Sequence, residues 1–392
     1  MAFKRRIECD EEKDPIPSKK AKMLTAIQAC LSVKPIVALK KLVIRFLETC
    51  CNMVIENQIK QTMLHLASEK GNPQTVKLFV DHHVEFNAKD NSQQKELYKA
   101  LSNGHANIVE LLLSKGADVN KRASPMIGMN REIYSPLGIA IKKGNLPIVK
   151  ILLMYSANPN IQCRSNAYPL EFALSFGHTE IAKLLLEHGA DINQGTFLEQ
   201  TPLHYFRGQL EIVKFLIEHG ANVNQRDELG YTPLHFAAAD GYLETLLFLI
   251  KHNANINSAS NYEGTPLHGA VKNCREQIVD TLLQNGCEVN IKEHRFQLTP
   301  LHRSVYYGSL WTFSQLLRYG ADVNAKNGAG NTPIHLICDR TRGGIERLKV
   351  ILRHGHKINF DIRNHDGKTA LEIAIDEECL NKAKMILYNN WH

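Results

Sequence analysis

Along Thr232–Asn257 the chain reads TPLHFAAADGYLETLLFLIKHNANIN, two short apolar stripes separated by a glycine and closed by a polar run. Leu234 and Ala237–Ala238 fall at the three- and four-residue spacing of one helix face, which predicts a helix of about two turns. Thr232 suits its N-cap, where a hydroxyl accepts from a free first-turn amide. Pro233 suits the first helical position, where no amide hydrogen is needed. Gly241 can take positive φ and turn the chain. Leu246, Leu247, Leu249 and Ile250 predict the buried side of a second helix, and Asn253–Asn257 places turn-forming residues around one apolar anchor. Helices below roughly 12–15 residues are marginal alone in water. Each pair must therefore lean on its neighbours.

The same unit recurs. Thr201-Pro202-Leu203-His204 returns as Thr232–His235, Thr265–His268 and Thr299–His302, with Thr332-Pro333-Ile334-His335 one conservative change away. The spacings are 31, 33, 34 and 33 residues. A fixed period near 33 means a stack of one supersecondary unit, and such stacks work by offering a surface. A second signature, Gly-Ala-Asp-Val-Asn, stands at Gly116–Asn120 and Gly320–Asn324, and with one change at Gly189–Asn193 and Gly220–Asn224. In both patterns the chain resembles the ankyrin repeat family. Aligning both ends of the unit gives ten starts, near Thr62, Lys95, Ser135, Tyr168, Thr201, Thr232, Thr265, Thr299, Thr332 and Thr369. Thr25 starts a degenerate eleventh. The expected organisation is a basic disordered tail over 1–23, a capping repeat over 24–61 and the array over 62–392. The resemblance implies an all-α repeat solenoid of helix-turn-helix units with short β-hairpin fingers.

Bulk properties remove several function classes. The net charge is +7. Residues 1–22 hold seven basic and five acidic groups, which leaves +5 for the other 370 residues, too dilute for a nucleic-acid footprint. Nine cysteines without a C-x-x-C favour a reducing intracellular compartment over a disulfide framework. Lys4-Arg5-Arg6 is followed by acidic residues instead of an apolar run, so no secretory signal is read, and no stretch approaches about 18 apolar residues. Of 18 histidines, 13 occupy repeating places: six in the motif, two after the mid-repeat glycine and five at the end of the second helix. In the family the motif histidine knits neighbouring repeats, so no metal site and no cofactor are expected. There is no Walker loop, nucleophile elbow or H-E-x-x-H, so the chain is read as non-catalytic.

Departures from the pattern carry the specific information. The second unit has Lys95-Glu96-Leu97-Tyr98 in place of the motif, which predicts a weak cap. About seven extra residues lie within Arg122–Tyr134, an apolar, turn-rich enlargement of a finger. The fifth unit loses two residues, which shortens its first helix, and the ninth gains residues at Arg340–Gly344 and around Phe360–Arg363.

The resemblance implies protein partners bound on a concave face lined by fingers and first helices. The expected contact positions are Glu228, Leu229, Tyr231, Ala239 and Asp240 in the sixth unit, and Lys272 and Asn273 in the seventh. Arg295, Phe296, Tyr306 and Tyr307 follow in the eighth, and Asp339 and Arg340 in the ninth. Aromatic and arginine side chains dominate binding hot spots, which makes the eighth unit the leading patch. Trp311 joins it, because other repeats carry a polar or proline residue at that place. Lys4, Arg5 and Arg6, then Lys19, Lys20 and Lys22, resemble a bipartite nuclear import signal, which implies a cytoplasmic protein that enters the nucleus. Asn120, Asn193, Asn290 and Asn324 each follow a leucine by eight residues and so resemble asparaginyl hydroxylase substrates. The leading function is a monomeric protein–protein interaction scaffold that binds neither nucleic acid nor membrane. Two further readings stay open: a substrate-recruiting subunit of a ligase or phosphatase complex, and an inhibitor that sequesters a transcription factor. No receptor-binding box follows the repeats, which weighs against the first.

Overall fold

The computed structural model describes residues 63–81, 95–122, 134–163, 167–339, 344–353 and 357–390. The tail over 1–23 and the segment 24–61 lie outside them. The described residues form twenty α-helices in ten consecutive pairs. The first four pairs are α1 (Met63–Lys70) with α2 (Pro73–Asp81), α3 (Glu96–Asn103) with α4 (Ala106–Ser114), α5 (Pro136–Lys142) with α6 (Leu146–Met154), and α7 (Pro169–Ser175) with α8 (Thr179–Glu187). Then follow α9 (Pro202–Tyr205) with α10 (Leu210–Glu218), α11 (Pro233–Asp240) with α12 (Leu243–Lys251), and α13 (Pro266–Lys272) with α14 (Glu276–Gln284). The last three are α15 (Pro300–Tyr306) with α16 (Leu310–Arg318), α17 (Pro333–Cys338) with α18 (Ile345–Leu352), and α19 (Ala370–Asp376) with α20 (Leu380–Asn390). The chain divides into two compact units, Met1–Ala190 and Asp191–His392. Within each, first helices pack on first helices and second helices on second helices.

The second helices bury a fixed set of positions. Ile148, Val149, Leu152 and Leu153 are buried on α6, Ile278, Val279, Leu282 and Leu283 on α14, and Thr312, Phe313, Leu316 and Leu317 on α16. The corresponding places on α12 are Thr245, Leu246, Leu249 and Ile250. Leu247 falls outside this set and is 45% exposed, contrary to its apolar character, while Thr245 is buried. Leu246→Ala is expected to cost about 2–5 kcal/mol as a cavity in a packed interface. Leu247→Ala should stay within about 0.5 kcal/mol. Urea denaturation of the two variants checks this, and equal losses would refute the assignment.

In the Asp191–His392 unit the first helices are fastened by one device. In α9, α11, α13, α15 and α17 the N-cap threonine and the motif histidine form a reciprocal capping box. The Thr232 and Thr265 amides donate to Nδ1 of His235 and His268 at 3.0 and 3.1 Å. That makes Nδ1 an acceptor and assigns the proton to Nε2. Nε2 then donates to a carbonyl of the following repeat: His204 to Tyr231, His235 to Gly264, His268 to Leu298 and His302 to Asn331, at 3.0–3.2 Å. His335 reaches Ile362 at 3.0 Å and Lys368 at 3.3 Å. Each bond crosses to the next repeat, so the histidine is a rivet between units.

In the Met1–Ala190 unit α1 keeps the motif histidine, His65, fully buried, and the next three first helices solve the same problem with other residues. Tyr98 stands in the motif histidine's place, and its hydroxyl donates toward the Tyr134 carbonyl at 3.1 Å and the Lys121 carbonyl. Lys95 makes no side-chain cap, as its sequence suggests, yet the cross-repeat link is present. Gly138 takes the place in the next repeat. There the Cys163 carbonyl moves in and accepts directly from the Ser135 amide at 3.1 Å. A methyl group on Gly138 would meet that carbonyl at 2.7 Å, so the missing side chain is what admits the backbone. Glu171 follows in the third such place, and burial pushes its carboxyl up to about 7.

Asparagines add a second ladder. The side-chain oxygen of Asn193 accepts from the Asn222 amide, that of Asn224 from Asn255, that of Asn257 from Glu288, and that of Asn290 from Asp322, at 2.7–2.9 Å. Asn324 continues it to Asn359, and Asn120 makes the equivalent bond to Asn158 in the other unit, each at 2.9 Å.

The fingers differ from the expected β-hairpins. Among the described residues no strand forms, and one isolated antiparallel bridge joins Ser260 and Gly264. The loops are too short for a ladder, so a single backbone bond closes each one: Thr196 to Gln200, Asp227 to Tyr231, Asn327 to Asn331 and Asn364 to Lys368. A side chain then satisfies the amides that a strand partner would have taken. Asp227 Oδ1 accepts from Leu229 and Tyr231, Asn327 Oδ1 from Ala329 and Asn331, and Asn364 Oδ1 from Asp366 and Lys368. These are Asx-type turns.

Candidate functional site

One finger has a different size. Glu293 closes on Leu298 instead of on the fourth residue ahead, so the loop between α14 and α15 contains one residue more than its neighbours. That residue is the origin of the 34-residue spacing between Thr265 and Thr299. Gln297 takes the left-handed turn, φ 55°, just before the closing residue, where Gly230, Gly330 and Gly367 stand in other fingers.

The enlarged loop interrupts a contact the other fingers make. Elsewhere in this unit finger tips are joined by backbone bonds: Glu228 donates to Leu198, Asn261 to Leu229, Gly328 to Phe296 and His365 to Ala329, at 2.8–3.0 Å. Among the described residues no such bond joins the Ser260–Gly264 finger to the Glu293–Leu298 finger. A groove of about 840 Å³ opens between them. It is lined by Tyr231, Tyr262, Glu263 and Lys272, by Glu293, Arg295, Phe296, Leu298, Arg303, Tyr306 and Tyr307, and by 327–329 with Asn331.

Phe296 and Tyr307 are each 54% exposed, the Tyr306 and Tyr307 rings lie 6.0 Å apart, and the Arg295 guanidinium sits 4.8 Å above the Phe296 ring. Tyr307 is held by its backbone: Cys274 Sγ donates to its carbonyl at 2.8 Å, and Arg347 donates to the neighbouring Gly308 carbonyl. Two ion pairs stiffen the walls. Lys272 pairs with Glu263. Arg303 Nη2 meets Glu293 Oε2 at 3.0 Å with both residues buried, while Glu293 Oε1 accepts from the Phe296 amide at 2.8 Å and sets the loop. Burial alone would raise the Glu263 carboxyl, but Lys272, helped by Arg303, carries it below the usual range. Burial pushes the Tyr231 hydroxyl up to about 12, with the Glu263 charge adding to the rise. In the walls Glu263 and Glu293 are thus each paired with a cation, while Arg295 stacks on Phe296.

Of the residues expected to bind, the groove brings together Tyr231, Lys272, Arg295, Phe296, Tyr306 and Tyr307. It does not include Trp311, which lies on α16 at 38% exposure. Glu228 is exposed beside half-buried Leu229, outside the lining. Asp240 is half-buried and committed to Arg207 at 2.6 Å, an ion pair that ties the shortened α9 to its neighbour. Ala239 is half-buried and gives its carbonyl to Arg275. Asn273 is exposed and bonds the Gly269 carbonyl, and Asp339 is half-buried. Arg340, Lys4, Arg5, Arg6, Lys19, Lys20, Lys22 and nearly all of the enlarged loop in 122–134 lie outside the described residues. Asn120, Asn193, Asn290 and Asn324 are rungs of the asparagine ladder. Sequence reasoning missed Tyr262, Glu263, Glu293 and Arg303. For Arg303 there was a signal: the residue after the motif histidine is Tyr205, Phe236, Gly269 and Leu336 elsewhere, and a charge there needs a buried partner. Among the described residues no group of three His, Cys, Asp or Glu is placed to hold a metal, and no helix is long and apolar enough to cross a membrane.

Helix pairs riveted at a period near 33 residues, with Asx-type fingers between them, define a repeat protein. A family profile described as ankyrin repeats (3 copies) matches residues 28–123, 127–196, 206–293, 259–327 and 301–391. The chain belongs to the ankyrin repeat family, whose repeats are protein-interaction modules. It is similar to mouse ankyrin repeat and SOCS box protein 14, 33% identical over 147 residues, which is 36% of this chain and 24% of the relative. The putative ankyrin repeat protein FPV014 of fowlpox virus is 29% identical over 154 residues, 39% of this chain and 33% of that protein. The mouse B-cell lymphoma 3 protein homolog is 29% identical over 153 residues, 38% and 33%. The matches cover no more than a third of any of these three relatives.

Proposed function

We propose that this chain is a non-catalytic protein–protein interaction scaffold. It captures its partner on the finger and first-helix face, centred on the groove between the Ser260–Gly264 and Glu293–Leu298 fingers. The observation that carries the reading is the interrupted finger contact: one groove opens at it, in which Phe296 and Tyr307 stand about half exposed with Arg295, while the surrounding repeats stay riveted. Large rigid aromatics next to an arginine are the side chains that dominate binding energy at interfaces. Proximity labelling in cells tests it, with the intact protein beside a Phe296→Ala/Tyr307→Ala variant. Both side chains are about half exposed, so the variant should keep its helical circular dichroism and lose a defined set of labelled proteins. Identical sets from both would move the site elsewhere on the array.

A recruiting role in a larger complex is the second reading. It has support from ankyrin repeat and SOCS box protein 14, a relative whose name joins the repeats to a second module. The basic clusters of the tail support nuclear entry, and a tail–reporter fusion that stays cytoplasmic would reject it. The asparagine ladder residues offer hydroxylation sites, which a 16-dalton mass gain on their peptides after exposure to an asparaginyl hydroxylase reads directly.

A further inference from the structure

The groove holds more cations than carboxylates, and this imbalance names the chemistry of its occupant. Both oxygens of Glu293 are engaged, one by Arg303 and one by the Phe296 amide. Glu263 is engaged by Lys272. The Arg303 guanidinium is 7% exposed and gives Nη2 to Glu293; its unpartnered Nε is shut off from solvent, and among the described residues nothing accepts from Nη1. A buried guanidinium donor without an acceptor is costly, on the order of 1–3 kcal/mol or more for a charged group. Arg295 stacks on Phe296 and, among the described residues, faces no carboxylate within ion-pair distance. The lining therefore holds three cations and two carboxylates, and the carboxylates are already neutralised by Lys272 and Arg303.

We infer that the groove reads an acidic side chain in the partner: an extended peptide segment with one aspartate or glutamate seated between Arg295 and Arg303, flanked by apolar or aromatic residues against Tyr307 and Tyr262. A carboxylate supplies an acceptor for Arg303 Nη1 and a counter-charge for Arg295, whose planar guanidinium suits it. A basic segment finds no unpaired acid in the lining. This inference rests on the groove being the docking site.

The test is selection of random twelve-residue peptides displayed on phage against the intact 392-residue protein. The expected peptides carry Asp or Glu at one fixed position beside an apolar residue. Replacing that acid by its amide lowers affinity about tenfold or more, as loss of a charged hydrogen bond does. Against Arg295→Gln, and against Arg303→Lys, which keeps a cation for Glu293 but removes the surplus donors, the same replacement has far less effect. Peptides that depend on Tyr307, shown by lost binding to Tyr307→Ala, but tolerate the amide would overturn the acidic specificity and leave the groove standing. Selected peptides indifferent to Tyr307→Ala, or no enrichment at all, would overturn both.

Discussion

Between pH 6.5 and 4 the Asp191–His392 unit is expected to lose most of its stability, ahead of the described helices of the other unit. The cause is the rivet histidines. Burial pushes His235 down to about 4, His268 to about 3 and His302 to about 4, and lowers His204 and His335 as well. Protonating Nδ1 would also set its proton against the threonine amide that it now accepts from, leaving only the threonine hydroxyl to turn and accept. In the unfolded chain these histidines take up a proton near pH 6.5. Across the window the unfolded state therefore binds more protons, so stability rises with pH. The contribution is complete above 6.5 and is lost as the pH falls toward the folded values. Each histidine is worth about 1.4 kcal/mol per pH unit inside its window. Three acting together approach the whole stability of a typical domain, about 5–15 kcal/mol. In α3, α5 and α7 the same places hold Tyr98, Gly138 and Glu171, none of which gains a positive charge as the pH falls, and only α1 keeps the motif histidine, His65, among the described helices of that unit. Amide hydrogen exchange at pH 7 and pH 5 separates the units: α11, α13 and α15 should lose protection while α5 and α7 keep theirs. Uniform loss would refute the rivet account.

Arg303→Ala is expected to destabilise the protein by about 3–5 kcal/mol, the cost of leaving a buried carboxylate unpaired. Glu293 is 1% exposed, and it also holds the finger through the Phe296 amide. The damage should reach the groove wall as well as the fold. Arg303→Met combined with Glu293→Gln keeps an acceptor for that amide and removes both charges, so it should recover most of the loss. Urea denaturation of the single and double variants decides it. A single variant as mild as the double would mean that the pair contributes nothing and the loop is set by other forces.

The architecture was legible because a short helix pair cannot stand alone, and repetition of Thr-Pro-Leu-His at a steady period says what it leans on. Position-level facts were less so. Leu247 and Leu249 look alike in sequence, and only the packing of second helices on one another shows that the first faces out. Tyr98 reads as a lost motif, yet its hydroxyl reaches the acceptor a histidine would have reached. The aromatic cluster at Phe296, Tyr306 and Tyr307 was visible as residue types in exposed places. Trp311 belonged to the same argument and lies outside the groove, because it follows the turn onto the second helix. The groove itself depends on a backbone bond that one finger fails to make, and residue types do not encode a missing bond directly. Its trace was the odd spacing of 34 between Thr265 and Thr299.

That single extra residue has a consequence for how such a site can arise. Helices on both sides keep their rivets whatever the tip does, so a three-base insertion at one loop adds a cleft while the rest of the array keeps its register. A solenoid can in this way gain or lose a recognition site at any junction independently of the others. Grafting the Glu293–Leu298 loop between two other repeats is then a route to a second site of the same kind.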